Sequence, residues 1–295
     1  MAVRLQRRAL AKGVTAPYNW DMGSPFNILP ATLLIFALLL FGPLAGSALA
    51  GAHQHVDLGR WSEPELAHLI TRAQRIEDSG QRIAAISAHF LDTPYVADTL
   101  IGGPQTAEQL VVNLAGFDCF TLLDTVEALR RVSDLVDFSG RLQQVRYRHG
   151  RLGYEHRRHF FSDWVAGDDA MIEDVTAAVG RQRARRVVKQ LNLKRDGTRW
   201  LPGIPVTRRE ISYIPTSTID EELLSALKTG DYVGIYSERA GLDVSHTGLI
   251  VKGEKKVMLR HASTLPGASR VVDVDLLKYL HGKPGLVVYR VKSGG

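Results

Sequence analysis

The sequence has a single cysteine, Cys119, among 295 residues. One thiol excludes an internal disulfide. The metal-ligand spacings CxxC and HExxH are both absent, so the sequence predicts neither a disulfide framework nor a common zinc motif. Internal repeats and low-complexity blocks are absent as well. What remains is an ordinary globular composition in a chain long enough for one large domain with a substantial core.

A strong excess of one charge is also lacking. The whole chain carries 37 Lys and Arg against 31 Asp and Glu, a formal net charge of +6. Residues 1–50 hold four of the basic residues and one acid, which leaves +3 for the remainder. That excess is too small to predict a nucleic-acid partner, and basic runs such as 181–186 are typical of a solvated surface. We therefore expect no nucleic acid among the partners.

Only one apolar run is long, at Ile28–Phe41. It follows a basic opening, is broken by Gly42-Pro43, and precedes small residues up to Ala50. This layout is typical of a secretory signal cleaved near Ala50, with a retained inner-membrane anchor as the alternative. The sequence thus predicts an exported, periplasmic protein that touches the membrane only if the leader is kept. In an oxidising compartment an unpaired cysteine is a liability, which favours a chemical role for Cys119.

Residues 51–295 are predicted to form one domain, with an insertion around 140–215. Ser62 with Glu65 three residues later resembles a capping box and predicts a helix through Ile76. The last quarter is rich in strands with short connections, so neighbouring strands should pair antiparallel. Helices first and an antiparallel sheet afterwards predict an α+β fold. The predicted strands are 231–236, 245–251, 256–261 and 286–291.

Weaker patterns fill the middle of the chain. The alternation in Gln143–Arg148 predicts a strand, and Asp168–Val179 is predicted to be helical. A further helix is expected near Val274–Leu280, before the final strand. The stretch Tyr154–Trp164 combines aromatic and cationic residues, which fits either the wall of a polar cleft or a surface hairpin.

Cys119 is placed where a loop is predicted to become a helix. Apolar residues recur at helical spacing after it, and Asp118 is a good N-cap residue because its carboxylate can accept the free N–H groups of the first turn. Such a position favours the thiolate, which is the reactive form of cysteine. The alternative is a small buried side chain without chemistry. The apolar positions are Leu122, Leu123, Val126 and Leu129.

Two histidines lie on neighbouring predicted strands. If Gly253-Glu254 is a two-residue turn, His246 pairs directly with His261, and directly paired side chains share one face of a sheet. Together with Cys119 they would fit a nucleophile, a base and an orienting group. Two alternatives stay open at this point: a zinc site completed by Cys119 and Asp243, and two structural histidines without chemistry.

Four segments occur in an order that resembles the NlpC-like cysteine peptidase and amidase superfamily. They are Thr93-Pro94-Tyr95, Phe117-Asp118-Cys119-Phe120-Thr121, Ser245-His246-Thr247-Gly248 and His261-Ala262-Ser263. The runs Arg158–Trp164 and Gly241–His246 resemble, more narrowly, an exported branch described as N-acetylmuramoyl-L-alanine amidase. The resemblance implies a papain-like, NlpC-like α+β core with helices packed on an antiparallel sheet. The chain departs from that branch at Phe120, where Val is common, and at Asp92, where Gly is usual.

The resemblance also implies roles. Cys119 would be the nucleophile, His246 the general base and acid, and His261 the group that orients His246. No metal and no organic cofactor would be needed. Peptidoglycan or a muropeptide would be the substrate, cut between N-acetylmuramic acid and L-alanine, by a monomer. Substrate contacts are predicted for Tyr95, which could be the second oxyanion donor, and for Asp118, Arg158, His159 and Ser245.

Other functions remain open from the sequence. The same three residues could cut one bond further along the stem peptide, as a γ-D-glutamyl–diamino acid endopeptidase. An inactive wall-binding module would keep the fold without turnover. A thiol acyltransferase acting on lipid would need an exposed apolar entrance, which the sequence does not show.

Overall fold

The computed structural model describes residues 54–170, 172–265 and 267–292. The predicted signal peptide, residues 1–50, lies outside these ranges. Within them, no helix is long and apolar enough to cross a membrane.

The centre of the fold is an eight-stranded sheet in which every neighbouring pair is antiparallel. Its strand order is β4-β5-β10-β6-β7-β8-β9, and β3 pairs with the other end of β10. The strands are β3 (Ile172–Asp174), β4 (Arg185–Leu191), β5 (Thr207–Pro215), β6 (Tyr232–Tyr236), β7 (Val244–Lys252), β8 (Val257–Ala262), β9 (Val271–Asp275) and β10 (Gly285–Val291).

In the described ranges, seven α-helices and a small separate pair of strands accompany this sheet. The separate pair, β1 (Gln54–Asp57) and β2 (Leu110–Asn113), is parallel. The helices are α1 (Glu63–Gln74), α2 (Ser79–Ala88), α3 (Cys119–Arg130), α4 (Phe138–Arg146), α5 (Thr176–Gly180), α6 (Glu221–Ala226) and α7 (Leu276–Leu280).

Each face of the sheet has its own apolar core. Helices α1 to α4 cover one face, where Tyr232, Leu249 and Val287 are buried. The three short helices α5 to α7 cover the other, where the neighbouring residues Val233, Ile250 and others are buried. Consecutive strand residues alternate between faces because side chains along a strand have a period of two. The predicted α+β fold, with helices packed on an antiparallel sheet, is confirmed.

Local signals explain where several elements begin. The capping box of α1 is present: Glu65 N–H lies 3.4 Å from Ser62 Oγ, and the Glu65 carboxylate accepts the Ser62 N–H at 2.8 Å. The four predicted strands of the last quarter are all found, as β6, β7, β8 and β10. The short connections indeed join β6, β7 and β8 as antiparallel neighbours.

Two predictions in the middle of the chain were wrong. Gln143–Arg146 ends α4 and is not a strand, because Phe138, Leu142 and Val145 recur at helical spacing and are buried in the core that contains α3. The helix predicted over Asp168–Val179 is replaced by β3 and the five-residue α5. The helix predicted near Val274–Leu280 is confirmed as α7, which begins at Leu276 because β9 occupies the preceding residues and Asp275 caps the helix.

Candidate active site

The predicted nucleophile lies at the first residue of α3, where this helix meets β7. Cys119 is partly buried, and the hydroxyl of Thr247 donates to its carbonyl oxygen at 2.8 Å. Thr247 directly follows His246 in β7, so this bond ties the start of the helix to the strand that carries the predicted base. Cys119 therefore lies on a helix that adjoins β7, and His246 and His261 lie on the neighbouring strands β7 and β8, more than a hundred residues further along the chain.

The helix start is built by Asp118. Its Oδ1 accepts the backbone N–H groups of Phe120 at 2.9 Å and Thr121 at 2.7 Å, and the Asp118 N–H is donated to Thr121 Oγ1 at 3.0 Å. The predicted N-cap is therefore confirmed. Because the carboxylate is committed to the cap, we assign Asp118 to shaping the site and no longer to contacting substrate.

The thiol is neutral at pH 7. Burial, followed by the neighbouring Asp118 carboxylate, raises the pKa of Cys119 to about 11, although hydrogen bonds from Thr247 and from its own amide act in the opposite direction. Desolvation penalises the charged form, and here it outweighs the helix start that favours an anion. The resting site therefore holds a thiol, not the preformed thiolate that the helix position alone predicts.

The two predicted histidines touch each other. His246 Nε2 lies 2.7 Å from His261 Nδ1, and the rings are nearly perpendicular, with centroids 4.8 Å apart and an interplanar angle of 87°. This is a hydrogen bond between two imidazoles, so one ring donates and the other accepts. His261 is 1% exposed, while His246 is partly buried.

The register that was predicted for this pair is wrong by two residues. The turn between β7 and β8 is longer than Gly253-Glu254, and Lys252 pairs with Val257. His261 is therefore level with Gly248, and His246 is its diagonal neighbour. The error is an even number, and side chains along a strand alternate with a period of two, so both histidines stay on one face. Diagonal partners are within reach of large side chains.

Gly248 is a site residue that the sequence analysis did not single out. A Cβ atom at this position would lie 2.7 Å from the carbonyl oxygen of Arg260 and 3.1 Å from the Cβ of His261. Only glycine lets the two strands approach closely enough for the histidines to meet. A glycine inside a strand pattern is the sequence signal for such an approach.

Both histidines are neutral at pH 7. Burial, then repulsion by His261 and by Lys283, lowers the pKa of His246 to about 3. Burial lowers the pKa of His261 to about 4, with partial opposition from Asp273. In the described part of the chain, the buried Nε2 of His261 has no hydrogen-bond partner. The site therefore keeps its base unprotonated over the whole neutral range.

Two tyrosines flank the thiol. Burial and then the Cys119 sulfur raise the pKa of Tyr95 and of Tyr279 to about 12 in each case. The Tyr279 ring also contacts both imidazoles, with centroids 4.9 Å from His261 and 5.9 Å from His246. Tyr95 was predicted as a site residue. Tyr279 was missed, because nothing in the pattern of its short helix shows which residue faces the histidines.

The remaining predicted substrate contacts differ in position. Arg158 is buried and donates to three carbonyl oxygens at the end of α4 and to the Asp169 carboxylate, so it holds the fold together and does not face substrate. His159 Nε2 lies 2.7 Å from the Tyr154 carbonyl oxygen, and burial lowers its pKa to about 4. Ser245 is exposed beside His246, and its hydroxyl lies 3.4 Å from the carbonyl oxygen of Ile235.

The zinc site considered from the sequence does not form. The Asp243 carboxylate accepts the backbone N–H groups of Ser162 and Val244, both at 2.7 Å. Among the described residues, the one group of side chains close enough to share a metal ion is His149, Asp168 and Asp169, which lies on an exposed surface and includes none of the predicted zinc ligands.

Comparison with known proteins identifies the family. The AmiA-like family model, N-acetylmuramoyl-L-alanine amidase-like, matches residues 85–286 and so includes Cys119, His246 and His261. The chain therefore belongs to the AmiA-like, N-acetylmuramoyl-L-alanine amidase-like family. No curated protein matches the chain.

Solved structures share the fold. A crystal structure of an N-acetylmuramoyl-L-alanine amidase from Bacteroides uniformis ATCC 8492 is 27% identical, with a TM-score of 0.60, and the match covers 73% of this chain and 99% of that one. A protein from Legionella pneumophila str. Philadelphia 1 is 22% identical, with a TM-score of 0.64, over 78% of this chain and 94% of its own. The second likeness shows the fold alone.

Proposed function

We propose that this protein is a cysteine-dependent amidase that hydrolyses the bond between N-acetylmuramic acid and L-alanine in peptidoglycan or released muropeptides. Family membership supports the bond and the substrate class. One observation carries the mechanism: His246 is hydrogen-bonded to His261 and lies on the strand that Thr247 ties to the helix start bearing the only thiol. The motif order that resembles the NlpC-like superfamily supports the same assignment.

The direction of the histidine hydrogen bond follows from the chemistry. A base must offer a free ring nitrogen to the thiol, so His246 donates its Nε2–H to Nδ1 of His261 and keeps Nδ1 as the acceptor. His261 then carries its own proton on Nε2, the buried atom without a partner. His261 thereby fixes the tautomer of His246, which is the task of the third group in such a triad.

Because thiol and base are both neutral at rest, proton transfer accompanies attack. His246 takes the thiol proton as the Cys119 sulfur bonds to the carbonyl carbon of the lactyl amide, and the carbonyl oxygen becomes an oxyanion. Collapse of this intermediate breaks the C–N bond, and His246 gives the proton to the departing amine of L-alanine. Water then attacks the thioester with His246 as base, which releases the muramic acid and restores the thiol.

The oxyanion would be stabilised at the start of α3. Asp118 takes the N–H groups of Phe120 and Thr121, which leaves the Cys119 N–H to point at the reacting carbonyl. We propose Tyr95 as the second donor. Its hydroxyl is close enough to Cys119 for the sulfur to raise its pKa, so it stays protonated at all working pH values. Removing one such donor typically costs about 3 kcal/mol of transition-state stabilisation.

The test is mass spectrometry of defined muropeptides after incubation with wild type and with Cys119→Ala. We expect wild type to release an intact stem peptide beginning with L-alanine, and the variant to be slower by at least about 10⁴-fold. The Thr247 hydroxyl donates to the backbone carbonyl of residue 119, so Cys119→Ala keeps this hydrogen bond. The variant should therefore have the wild-type melting temperature.

The same assay separates the alternatives. Cleavage after D-glutamate would replace the amidase with the endopeptidase. Equal turnover by wild type and Cys119→Ala would remove the cysteine mechanism. Binding without any turnover would indicate a wall-binding module. We also propose export to the periplasm, which N-terminal sequencing of the secreted protein tests: a first residue near Gly51 is expected.

A further inference from the structure

The segment 192–206, which connects β4 to β5, bridges two sides of the fold. At one end, the Asn192 N–H donates to the Gly241 carbonyl oxygen at 2.8 Å, in the loop 237–243 that leads into β7 and His246. At the other, Gly203, with φ +84°, lies where a Cβ would be 3.2 Å from Pro104 and 3.8 Å from the Tyr154 ring. The segment therefore connects the loop before β7 with the region around Pro104 and Tyr154.

Buried hydrogen bonds hold this segment in one shape. Asn192 is fully buried, and its side-chain N–H groups donate to the carbonyl oxygens of Leu201 and Ile204, at 3.0 Å and 2.8 Å. Its side-chain oxygen accepts the Leu201 N–H at 2.7 Å. A buried amide satisfied on both ends stabilises one loop conformation, because any other would leave it unpaired.

This arrangement holds a partly buried tryptophan against two cations. The Trp200 indole N–H donates to the Ala240 carbonyl oxygen at 2.9 Å. The ammonium of Lys194 lies 5.0 Å from the ring centroid and the guanidinium carbon of Arg239 lies 4.8 Å from it. Gly241 is required here, since a Cβ would be 2.8 Å from the indole. Lys194, Trp200 and Arg239 are called the tryptophan clamp below.

The clamp holds positive charge that the described part of the chain does not neutralise with an ion pair. The acids nearest to it in sequence are Asp196, whose Oδ1 accepts from Thr198, and the exposed Glu238. Lys189 adds a third cation by donating to the carbonyl oxygens of Ser237 and Arg239. Like charges held together cost electrostatic energy, and an anionic ligand offsets that cost.

The clamp is connected to His246 through the loop 237–243 and the start of β7. Gly241 precedes His246 by five residues, which limits their separation to at most about 18 Å. An extended stem peptide advances about 3.3 to 3.6 Å per residue, so its third and fourth residues lie roughly 10 to 14 Å from the scissile bond. Those residues, and the D-glutamate before them, carry free carboxylates.

We propose that the tryptophan clamp binds a carboxylate of the stem peptide and makes the enzyme prefer substrates in which that carboxylate is free. The inference rests on the proposed function, because it takes the stem peptide as the substrate. Arg239 supplies a planar pair of donors that matches a carboxylate, Lys194 supplies a second positive charge, and the indole fixes both side chains in place.

The experiment compares two substrates and four proteins. The substrates are N-acetylmuramoyl-tetrapeptide with free carboxylates and the same compound with every carboxylate amidated. The proteins are wild type, Lys194→Gln, Arg239→Gln and the double variant. A matched control, Lys255→Gln with Lys256→Gln, removes the same charge from the exposed turn between β7 and β8.

We expect wild type to show a higher kcat/KM on the free acid, chiefly through a lower KM. Each single variant should reduce that preference by roughly three- to tenfold, the size typical of an exposed charge-assisted contact. The double variant should bring the ratio close to one while the amidated substrate is cut at the wild-type rate. The control should keep the wild-type ratio.

Retention of the wild-type ratio by the double variant would overturn the inference, as would an equal loss on both substrates. Calorimetric binding of both compounds to Cys119→Ala, with and without the two clamp substitutions, gives the same comparison without chemistry. A carboxylate preference in binding combined with cleavage of another bond would reject the proposed function and leave the clamp standing. Binding that ignores amidation would reject the clamp alone.

Discussion

Ionisable groups near the two ends of helix α3 are in opposite states: they are charged and paired at one end and neutral at the other. Near its C-terminal end, Glu127 and Arg130 are both about 2% exposed, and their side chains meet in two hydrogen bonds of 2.8 Å, with a third from the Tyr232 hydroxyl at 2.9 Å. At the N-terminal end, Cys119 and the two histidines are kept neutral by burial and carry no ion pair.

The difference separates ionised groups that stabilise the fold from neutral groups that can take part in a reaction. A buried charge that is paired is a fixed part of the fold, since removing either partner leaves the other desolvated. A buried group that stays neutral can still accept or lose a proton when substrate arrives, because no partner holds its charge in place. The same helix therefore anchors the core at one end and leaves its reactive group uncommitted at the other.

The comparison predicts that breaking the paired end costs stability and little chemistry. Glu127→Ala removes both carboxylate bonds to Arg130 and the acceptor of Tyr232, and we expect a loss of about 3 to 5 kcal/mol in the free energy of unfolding. Denaturant titration measures it. Below the transition, kcat/KM should stay within a few-fold of wild type, and a large loss of activity in still-folded protein would contradict the division.

Alkylation of the single thiol tests the N-terminal end of α3, where Cys119 lies. With its pKa raised to about 11, the Cys119 thiol should react with iodoacetamide at pH 8 on the order of 10² times more slowly than an ordinary cysteine. Because no other thiol is present, the same protein in denaturant is the control. A rate that levels off near pH 7 would show a preformed thiolate and contradict the neutral resting state.

Acid should destabilise the protein through the histidine pair. The unfolded chain binds these protons near pH 6.5, whereas the folded protein binds them only near pH 3 for His246 and pH 4 for His261. The unfolded state therefore gains protons first as the pH falls below about 6.5. Each histidine should contribute up to about 1.4 kcal/mol of lost stability per pH unit.

Melting temperatures between pH 7 and pH 4 test this slope. The double variant His246→Gln, His261→Gln should show a clearly shallower decline, while His159, whose pKa is lowered to about 4, keeps contributing in both proteins. Equal slopes in the two proteins would mean that the pair is not buried in its neutral form.

The smallest expected effect concerns Tyr279, whose ring covers both imidazoles. Tyr279→Ala should lower kcat by about tenfold, since the histidine rings lose the contact that restricts them and water enters. Tyr279→Phe keeps the ring and should stay within about twofold. The pH profile distinguishes positioning from folding: Tyr279→Ala should shift the acid limb of kcat/KM toward the ordinary histidine pKa, whereas a loss without that shift would indicate a structural role only.

Much of the site could be predicted because its signals are local. The Asp118 cap, the apolar spacing after Cys119 and the strands of the two histidines each depend on neighbouring residues, and each is confirmed. The β7–β8 register was wrong because turn length is not encoded by Gly253-Glu254 alone. Because the register error was two residues, an even number, the prediction that both histidines share one face still held.

What sequence reasoning missed depends on tertiary packing. The pattern in Gln143–Arg148 suggested a strand, yet burial of Phe138 and Leu142 beside α3 determines a helix. Arginine side chains are usually exposed, and only the fold shows that Arg158 is buried with three carbonyl partners. Tyr279 meets the histidines through the β9–α7 connection, and β9 itself was not predicted.

The hairpin turn after β7 sets a rule for how this enzyme can vary. Adding or deleting two residues between Lys252 and Val257 would slide one strand past the other and still present both imidazoles to the same side. A change of a single residue would send one of them into the opposite layer of the molecule. A register shift by an odd number of residues at this turn should therefore silence the enzyme.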